Sequence, residues 1–267
     1  MASEFKLTRY IYWGMRGVVR VATIPVRGLK EGPAKARIRK FILNFQHSLP
    51  TEFVVNKGDT VVQIGTPRPK TMARFRRAVG SEGRLVIVEA MPENQDRLAK
   101  AIAEYGFDNV TLIRAAACNE NKQGELAISP YIGDHKIDLD HIDMDNDLRP
   151  GNAQMEHIPV EFVRLDDELP RHGVETIDLL SVTVNGAEGE VLKGARDTLS
   201  RSPAGTRVYA KGHALDKSGQ PLHLETQAIM QSIGYQTKIT KGEPSSTKDT
   251  KWLWRAGDLF AWKANAA

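Results

Sequence analysis

The chain has 267 residues, 41% hydrophobic and 26% charged, the composition of a globular protein with enough apolar material for one large core. No run of about 18 apolar residues occurs, so no transmembrane helix is predicted; Arg9, Arg16 and Arg20 interrupt what would have to be a signal-peptide core. The formal net charge of +4 is unevenly spread: residues 1–50 carry ten Lys/Arg against two Asp/Glu, a net of +8, which leaves −4 for the remainder. A mildly acidic main domain argues against a nucleic-acid groove, and no nucleic-acid partner is expected. The single cysteine, Cys118, excludes an internal disulfide and points to a reducing, cytoplasmic compartment.

Residues 1–33 interleave Tyr10, Ile11, Tyr12, Trp13, Val18 and Val19 with Arg9, Arg16, Arg20 and Arg27. Such a mixture suits an arm packed on the domain, on a second subunit of a homo-oligomer or on a protein partner. It also suits a membrane surface, which would make the protein membrane-peripheral. Gly32-Pro33 is a break. Residues 34–46 follow as a predicted helix, with Ile38, Phe41, Ile42 and Phe45 on one stripe. Residues 1–50 are thus a basic arm with an amphipathic helix, and 51–267 an α/β domain.

From residue 51 short apolar runs alternate with helical patterns. Strands are predicted at 60–64, 85–88 and 110–113. Helices are predicted at 70–79, with Met72, Phe75 and Val79 inward, and at 93–105, with Leu98, Ile102 and Tyr105 inward. The pattern loosens over 123–157, an insertion or lid. It resumes with strands at 160–165 and 177–184, a helix at 188–199 carrying Val191, Leu192, Ala195 and Leu199 inward, a strand at 207–210 and a helix at 222–233. Strands at 235–240 and 259–263 close the chain as an antiparallel edge hairpin, beside which Trp252 and Trp254 are placed as braces. Strands recurring with helices between them imply parallel crossover units.

In an open parallel sheet, ligands sit at the carboxyl ends of the strands, near the topological switch point. The first such end is Gln63-Ile64-Gly65-Thr66. Gly65 permits close approach of a ligand to the main chain, and the next helix presents free N–H groups there. The second strand ends at Glu89, whose two carboxylate oxygens can accept both hydroxyls of a ribose.

These segments resemble the FkbM family of S-adenosylmethionine (SAM)-dependent methyltransferases. The stretch Lys57-Gly58-Asp59-Thr60-Val61-Val62-Gln63-Ile64-Gly65 is similar to that family's first strand, and Val88-Glu89-Ala90-Met91-Pro92-Glu93-Asn94 to its second strand end. Asn109-Val110-Thr111-Leu112-Ile113, running on to Ala116, resembles the third strand, and Val163-Arg164-Leu165-Asp166-Asp167-Glu168-Leu169 a later strand and turn. The most specific likeness is Ile177-Asp178-Leu179-Leu180-Ser181-Val182-Thr183-Val184-Asn185-Gly186-Ala187-Glu188 with Val191-Leu192-Lys193-Gly194-Ala195, which follows the signature "iDllKiDvEGaE…vLkGa". The resemblance spans about 55–263. It implies a Rossmann-like class I methyltransferase fold, SAM as cofactor, and Gln63, Gly65, Thr66, Glu89 and Ala116 around it.

The sequence also departs from the family. Gln63 stands in place of an Asp, Ser181 and Thr183 in place of Lys and Asp, and Asn185 and Lys211 in place of Glu. Most of these changes remove a carboxylate from the edge where the cationic SAM would bind, so weakened or lost SAM binding is an expected consequence. Two readings follow. The first is an O-methyltransferase acting on a sugar or other small-molecule hydroxyl, with His213 as base and Lys211, Asn185 and Glu188 orienting the acceptor. The second is a catalytically inactive methyltransferase-fold protein that binds or scaffolds a partner. Residues 134–147 hold six Asp and two His, but the spacing is not that of an EF-hand and no metal site is assigned. A lid over the acceptor pocket suits that segment better. Cys118 reads as a packing residue.

Overall fold

The computed structural model describes residues 55–65, 68–129, 135–137, 156–211, 223–239, 243–244, 254–255 and 258–264. The predicted arm and amphipathic helix of 1–50 lie outside the described residues, as does Trp252.

In chain order the elements are β1 (Thr60–Ile64), α1 (Pro69–Val79), β2 (Arg84–Val88), α2 (Pro92–Tyr105), β3 (Val110–Ile113), β4 (Ala116–Ala117), β5 (Lys122–Ile128) and β6 (Lys136–Ile137). Next come β7 (Glu156–Val163), α3 (Leu165–Arg171), β8 (Leu179–Val182), α4 (Glu188–Gly194), α5 (Arg196–Arg201), β9 (Arg207–Ala210), α6 (His223–Ser232), β10 (Tyr235–Ile239), β11 (Glu243–Pro244), β12 (Trp254–Arg255) and β13 (Leu259–Lys263).

Seven strands form one sheet in the order β10-β13-β9-β8-β1-β2-β3. The pairs β1·β2, β2·β3, β1·β8 and β8·β9 are parallel. β13 runs antiparallel to both β9 and β10. This is the mostly parallel sheet with antiparallel C-terminal strands expected from the sequence. β13 is inserted between β9 and β10, so β10 forms the edge. The central strands are buried on both faces, as near-continuous apolar runs require: Val61, Val62, Leu85, Val86, Leu179 and Leu180 are each 0% exposed. One face packs Val62, Val86, Leu180 and Val208 against Leu169, Val191, Leu192 and Leu199. β11 and β12 pair as a separate two-stranded ribbon. No helix among the described residues is long and apolar enough to cross a membrane.

Three acidic residues of the motifs serve the scaffold. Asp59 forms an ion pair with Arg207, and Asp178 Oδ2 accepts the Thr60 N–H at 2.7 Å, both at the amino edge of the sheet. Asp166 accepts the N–H groups of Asp197 and Thr198 at 3.1 and 2.7 Å, capping the start of α5.

That cap marks a difference from the sequence expectation. The helix predicted over 188–199 is two helices, α4 and α5, broken at Ala195. A Cβ on Gly194 would lie 1.9 Å from the Cys118 carbonyl oxygen, so only glycine lets α4 end this close to the segment after β4. The predicted inward residues Val191, Leu192, Ala195 and Leu199 are nonetheless each 0% exposed.

Two further expectations shift. Tyr105 is 60% exposed, because the inward face of α2 is built from Asn94, Gln95, Leu98 and Ala101. The segment after residue 122 begins as a regular strand: β5 pairs antiparallel with β7 along seven residues. With β4 and β6 these make a second sheet, β4-β7-β5-β6.

Candidate active site

The chain steps from β1 through β2 to β3 in one direction, then returns to β8 on the other side of β1. That reversal opens a crevice at the carboxyl ends, the usual ligand position in such sheets. A cleft of about 610 Å³, partly open to solvent, lies there. Gly65, Glu89 and Asn94 form one wall, Ala115, Ala116 and Ala117 another, and Thr183, Val184 and Asn185 the β8 side. Leu126, His135 and Ile137 of the second sheet and its approach complete it.

Gly65 has φ +74°, and a Cβ there would stand 2.6 Å from the Thr183 carbonyl oxygen. The main chains of the β1 and β8 ends therefore touch at a point where a side chain would force them apart. Gly65 N–H is held by Val88 O at 3.0 Å.

Glu89 is fixed from several directions. Its Oε1 accepts the Met91 N–H at 3.0 Å and the Asn94 amide at 3.4 Å. Gln95 Nε2 donates to the carbonyls of Glu89 and Ala90 at 2.8 and 3.0 Å, pinning the strand end. Asn94 and Gln95 are buried polar residues on a helix face that apolar side chains would ordinarily fill. They escaped the sequence reading, although two adjacent amides at an inward helix start are a signal for such support.

Gln63 does not line the cleft. It is 2% exposed, and its Nε2 donates to Ile64 O, Gly65 O and Thr183 Oγ1 at 3.0, 3.1 and 2.9 Å. Thr183 Oγ1 in turn donates to Gly65 O at 2.6 Å. Asn185 Nδ2 donates to the His135 carbonyl at 3.0 Å, tying the start of β6 to the β8 end. The His135 ring faces back on its own loop, Nδ1 accepting the Ser129 N–H at 3.2 Å. Ala116 lines the cleft. Thr66 and His213 lie outside the described residues.

Lys211 and Glu188 sit at the same carboxyl edge, beyond the cleft lining. Lys211 continues β9, its N–H bonded to Val182 O at 3.0 Å. Glu188 opens α4 and is 3% exposed. Burial pushes its carboxyl up to about 8, against the opposing pull of the Glu188 and Gly186 N–H groups and the Lys211 ammonium; the Asp258 carboxylate pushes it further up. Its Oε1 is buried with no hydrogen-bond partner, an arrangement that costs about 1–3 kcal/mol. Asp258 and Tyr209, absent from the sequence candidates, belong to this group: Tyr209 donates to Asp258 Oδ2 at 3.1 Å. Their proximity comes from strand register, which no local motif encodes.

Cys118 is 1% exposed, and burial pushes its thiol up, as befits a packing residue. No cluster of metal-ligating side chains occurs among the described residues. Most of 134–147 lies outside them.

The methyltransferase FkbM domain model matches residues 61–237, from β1 through the sheet to β10. The chain belongs to the FkbM methyltransferase family. Within this family setting, it is 33% identical over 105 residues to the 2-O-methyltransferase NoeI of Sinorhizobium fredii, covering 36% of this chain and 42% of that protein. It is 30% identical over 80 residues to the protein-L-isoaspartate O-methyltransferase of Methanococcus maripaludis, covering 30% of this chain and 36% of that protein. The chain thus spans less than half the length of these curated relatives. Among solved structures, Aeropyrum pernix fibrillarin with bound SAM is similar at a TM-score of 0.47 and 14% identity, covering 84% of this chain and 74% of that one. The Bacillus cereus O-methyltransferase with S-adenosylhomocysteine (SAH) is similar at 0.45 and 12%, covering 97% of each chain.

The cleft residues fit the nucleoside half of SAM. Gly65 leaves the main chain open to approach, and Glu89 offers a fixed carboxylate beside it. On the β8 side the polar groups are the neutral Thr183 and Asn185.

Proposed function

We propose that the protein transfers a methyl group from SAM to a hydroxyl of a sugar or other small molecule. The observation that carries this reading is the clamped Glu89 carboxylate beside Gly65 on one wall of the switch-point cleft. Glu89 would hold the ribose hydroxyls, Gly65 would let the main chain approach the cofactor, and the 115–117 segment would pack against the adenine. When bound, SAM supplies a carbon already activated for displacement by its sulfonium, so the protein's own work is alignment and proton removal. Lys211, Asn185, Glu188 and the sequence candidate His213 are assigned to the acceptor side. Titration calorimetry of the full chain with SAH tests the reading. Binding at micromolar to submillimolar concentration supports it, and no heat at millimolar concentration defeats it.

A second reading is a methyltransferase-fold binding or scaffold protein without catalysis. It is favoured by the Gln63 and Thr183 side chains, which spend their donors on carbonyls of the β1 end. The same calorimetry separates the two.

A further inference from the structure

The sides of the switch-point cleft differ in charge. With the ribose at Glu89 and the adenine against the 115–117 segment, the β8 side, formed by Thr183, Val184 and Asn185, is left for the substituent on the ribose 5′ carbon. Among the described lining residues the ionisable side chains are Glu89 and His135. Glu89 Oε1 is held by the Met91 N–H and the Asn94 amide. His135 Nδ1 accepts the Ser129 N–H at 3.2 Å. That bond needs a ring nitrogen without a proton, so the imidazole is neutral.

Thr183 and Gln63 cover the main-chain oxygens at the end of β1. Ile64 O accepts the Thr183 N–H and Gln63 Nε2, each at 3.0 Å. Gly65 O accepts Gln63 Nε2 at 3.1 Å and Thr183 Oγ1 at 2.6 Å. A carbonyl oxygen has two lone pairs, so both oxygens already have their full complement of donors. These are the partial negative charges that a cation at this edge of the sheet would otherwise meet. Asn185 contributes a neutral amide, its Nδ2 donating to the His135 carbonyl at 3.0 Å. Glu188, next in the chain to the lining residue Ala187, is pushed up to about 8 by burial and is therefore mostly protonated at neutral pH.

We propose that the cleft does not recognise the charge on sulfur: it holds the uncharged thioether SAH at least as tightly as the sulfonium SAM, and Thr183 and Asn185 are the residues that set this specificity. The inference rests on the cofactor reading above and deepens it. The two ligands share a nucleoside and an amino-acid end, and differ by one methyl group and one positive charge. A cation that leaves water for the cleft loses hydration that only a carboxylate or open acceptors replace. The β8 side instead turns the Thr183 hydroxyl and the Gln63 amide onto the oxygens that could serve. The thioether carries no such cost. Each methyl transfer therefore leaves the better-held ligand in the cleft, and turnover depends on a separate reaction that consumes the thioether.

The test is titration calorimetry of the full chain at neutral pH with SAH and with SAM. The wild-type Kd for SAH is expected to equal or lie below that for SAM. Asn185→Asp adds a carboxylate to the lining and should shift the ratio of the two constants toward SAM by about tenfold or more. Asn185→Ala loses the same bond to the His135 carbonyl without adding a charge, and should keep the wild-type ratio. Wild type that binds SAM about tenfold more tightly than SAH overturns the proposal. So does an Asn185→Asp protein that binds both ligands at the wild-type ratio, or an Asn185→Ala protein that shifts the ratio as far as Asn185→Asp does. The wild-type comparison decides the matter alone where Asn185→Asp does not fold. Wild type that binds neither ligand at millimolar concentration instead overturns the cofactor reading, and this specificity falls with it.

Discussion

The Gln63 side-chain amide donates to Thr183 Oγ1 at 2.9 Å across the β1–β8 boundary. Both positions carry a neutral residue where the family pattern has an acid, and here the two meet. Their donors are directed at the carbonyls of Ile64 and Gly65. A carboxylate has no hydrogen to offer a carbonyl. The two departures therefore form one compensated unit, and each stabilises the strand end that carries Gly65.

Restoring the family acid alone should therefore be unfavourable. Gln63→Asp places a shorter, charged acceptor among carbonyl oxygens and leaves Thr183 Oγ1 without its donor. The expected loss is about 1–3 kcal/mol of stability, read as a lower urea midpoint at unchanged slope. A Gln63→Asp protein as stable as wild type would show that the amide network contributes nothing.

Glu89→Gln should separate cofactor binding from folding. The substitution keeps the size of the side chain and one acceptor oxygen, but it removes the charge that strengthens hydrogen bonds to ribose hydroxyls. A loss of about 1.5–3 kcal/mol per such contact corresponds to a roughly ten- to hundredfold weaker SAH Kd. The thermal midpoint should change little. An unchanged Kd would remove Glu89 from the ribose role.

Asn185→Ala should release the roof of the cleft. Its amide holds the His135 carbonyl at the start of β6, a strand tied to β5 by only two residue pairs. Amide hydrogen exchange at 135–137 is expected to accelerate, while the β1 and β8 amides keep their protection. Equal exchange in both proteins would mean that the β5 pairing alone suffices.

The Glu188 carboxyl links stability to pH with a definite sign. Its folded pKa is raised, from 4.5 to about 8, so the folded state binds the extra proton across that window. Its contribution is fully present below 4.5 and is lost as pH rises toward 8, at about 1.4 kcal/mol per pH unit, and then levels off. Glu188→Gln, neutral at every pH, should flatten that part of the stability profile. Urea midpoints measured from pH 5 to 9 in parallel would show it; identical slopes in the two proteins would contradict the buried, protonated carboxyl.

What was legible in the sequence follows the range of the forces involved. Apolar periodicity located the strands β1, β2, β3 and β9 to within a residue, because a strand buried on both faces must be apolar throughout. Gly65 and Glu89 could be read because their roles depend on position in a single βαβ unit, a local property. The break at Ala195, the surface position of Tyr105, and the strand pairing that begins after residue 122 were not readable. The first depends on Cys118 lying against Gly194, the second on Asn94 and Gln95 occupying the inward face of α2, and the third on β7 as a partner.

The same division holds for the chemistry. The residues by themselves determined the family, the order of the sheet's building blocks, and the loss of acids at Gln63, Thr183 and Asn185. Only the tertiary structure decided what those neutral residues do, since a hydrogen bond from Gln63 to Thr183 joins positions 120 residues apart. It also decided that Asp258, arriving on the last strand, stands beside Lys211 and Glu188. Charge interactions act through space, and the register of β13 on β9 sets that distance.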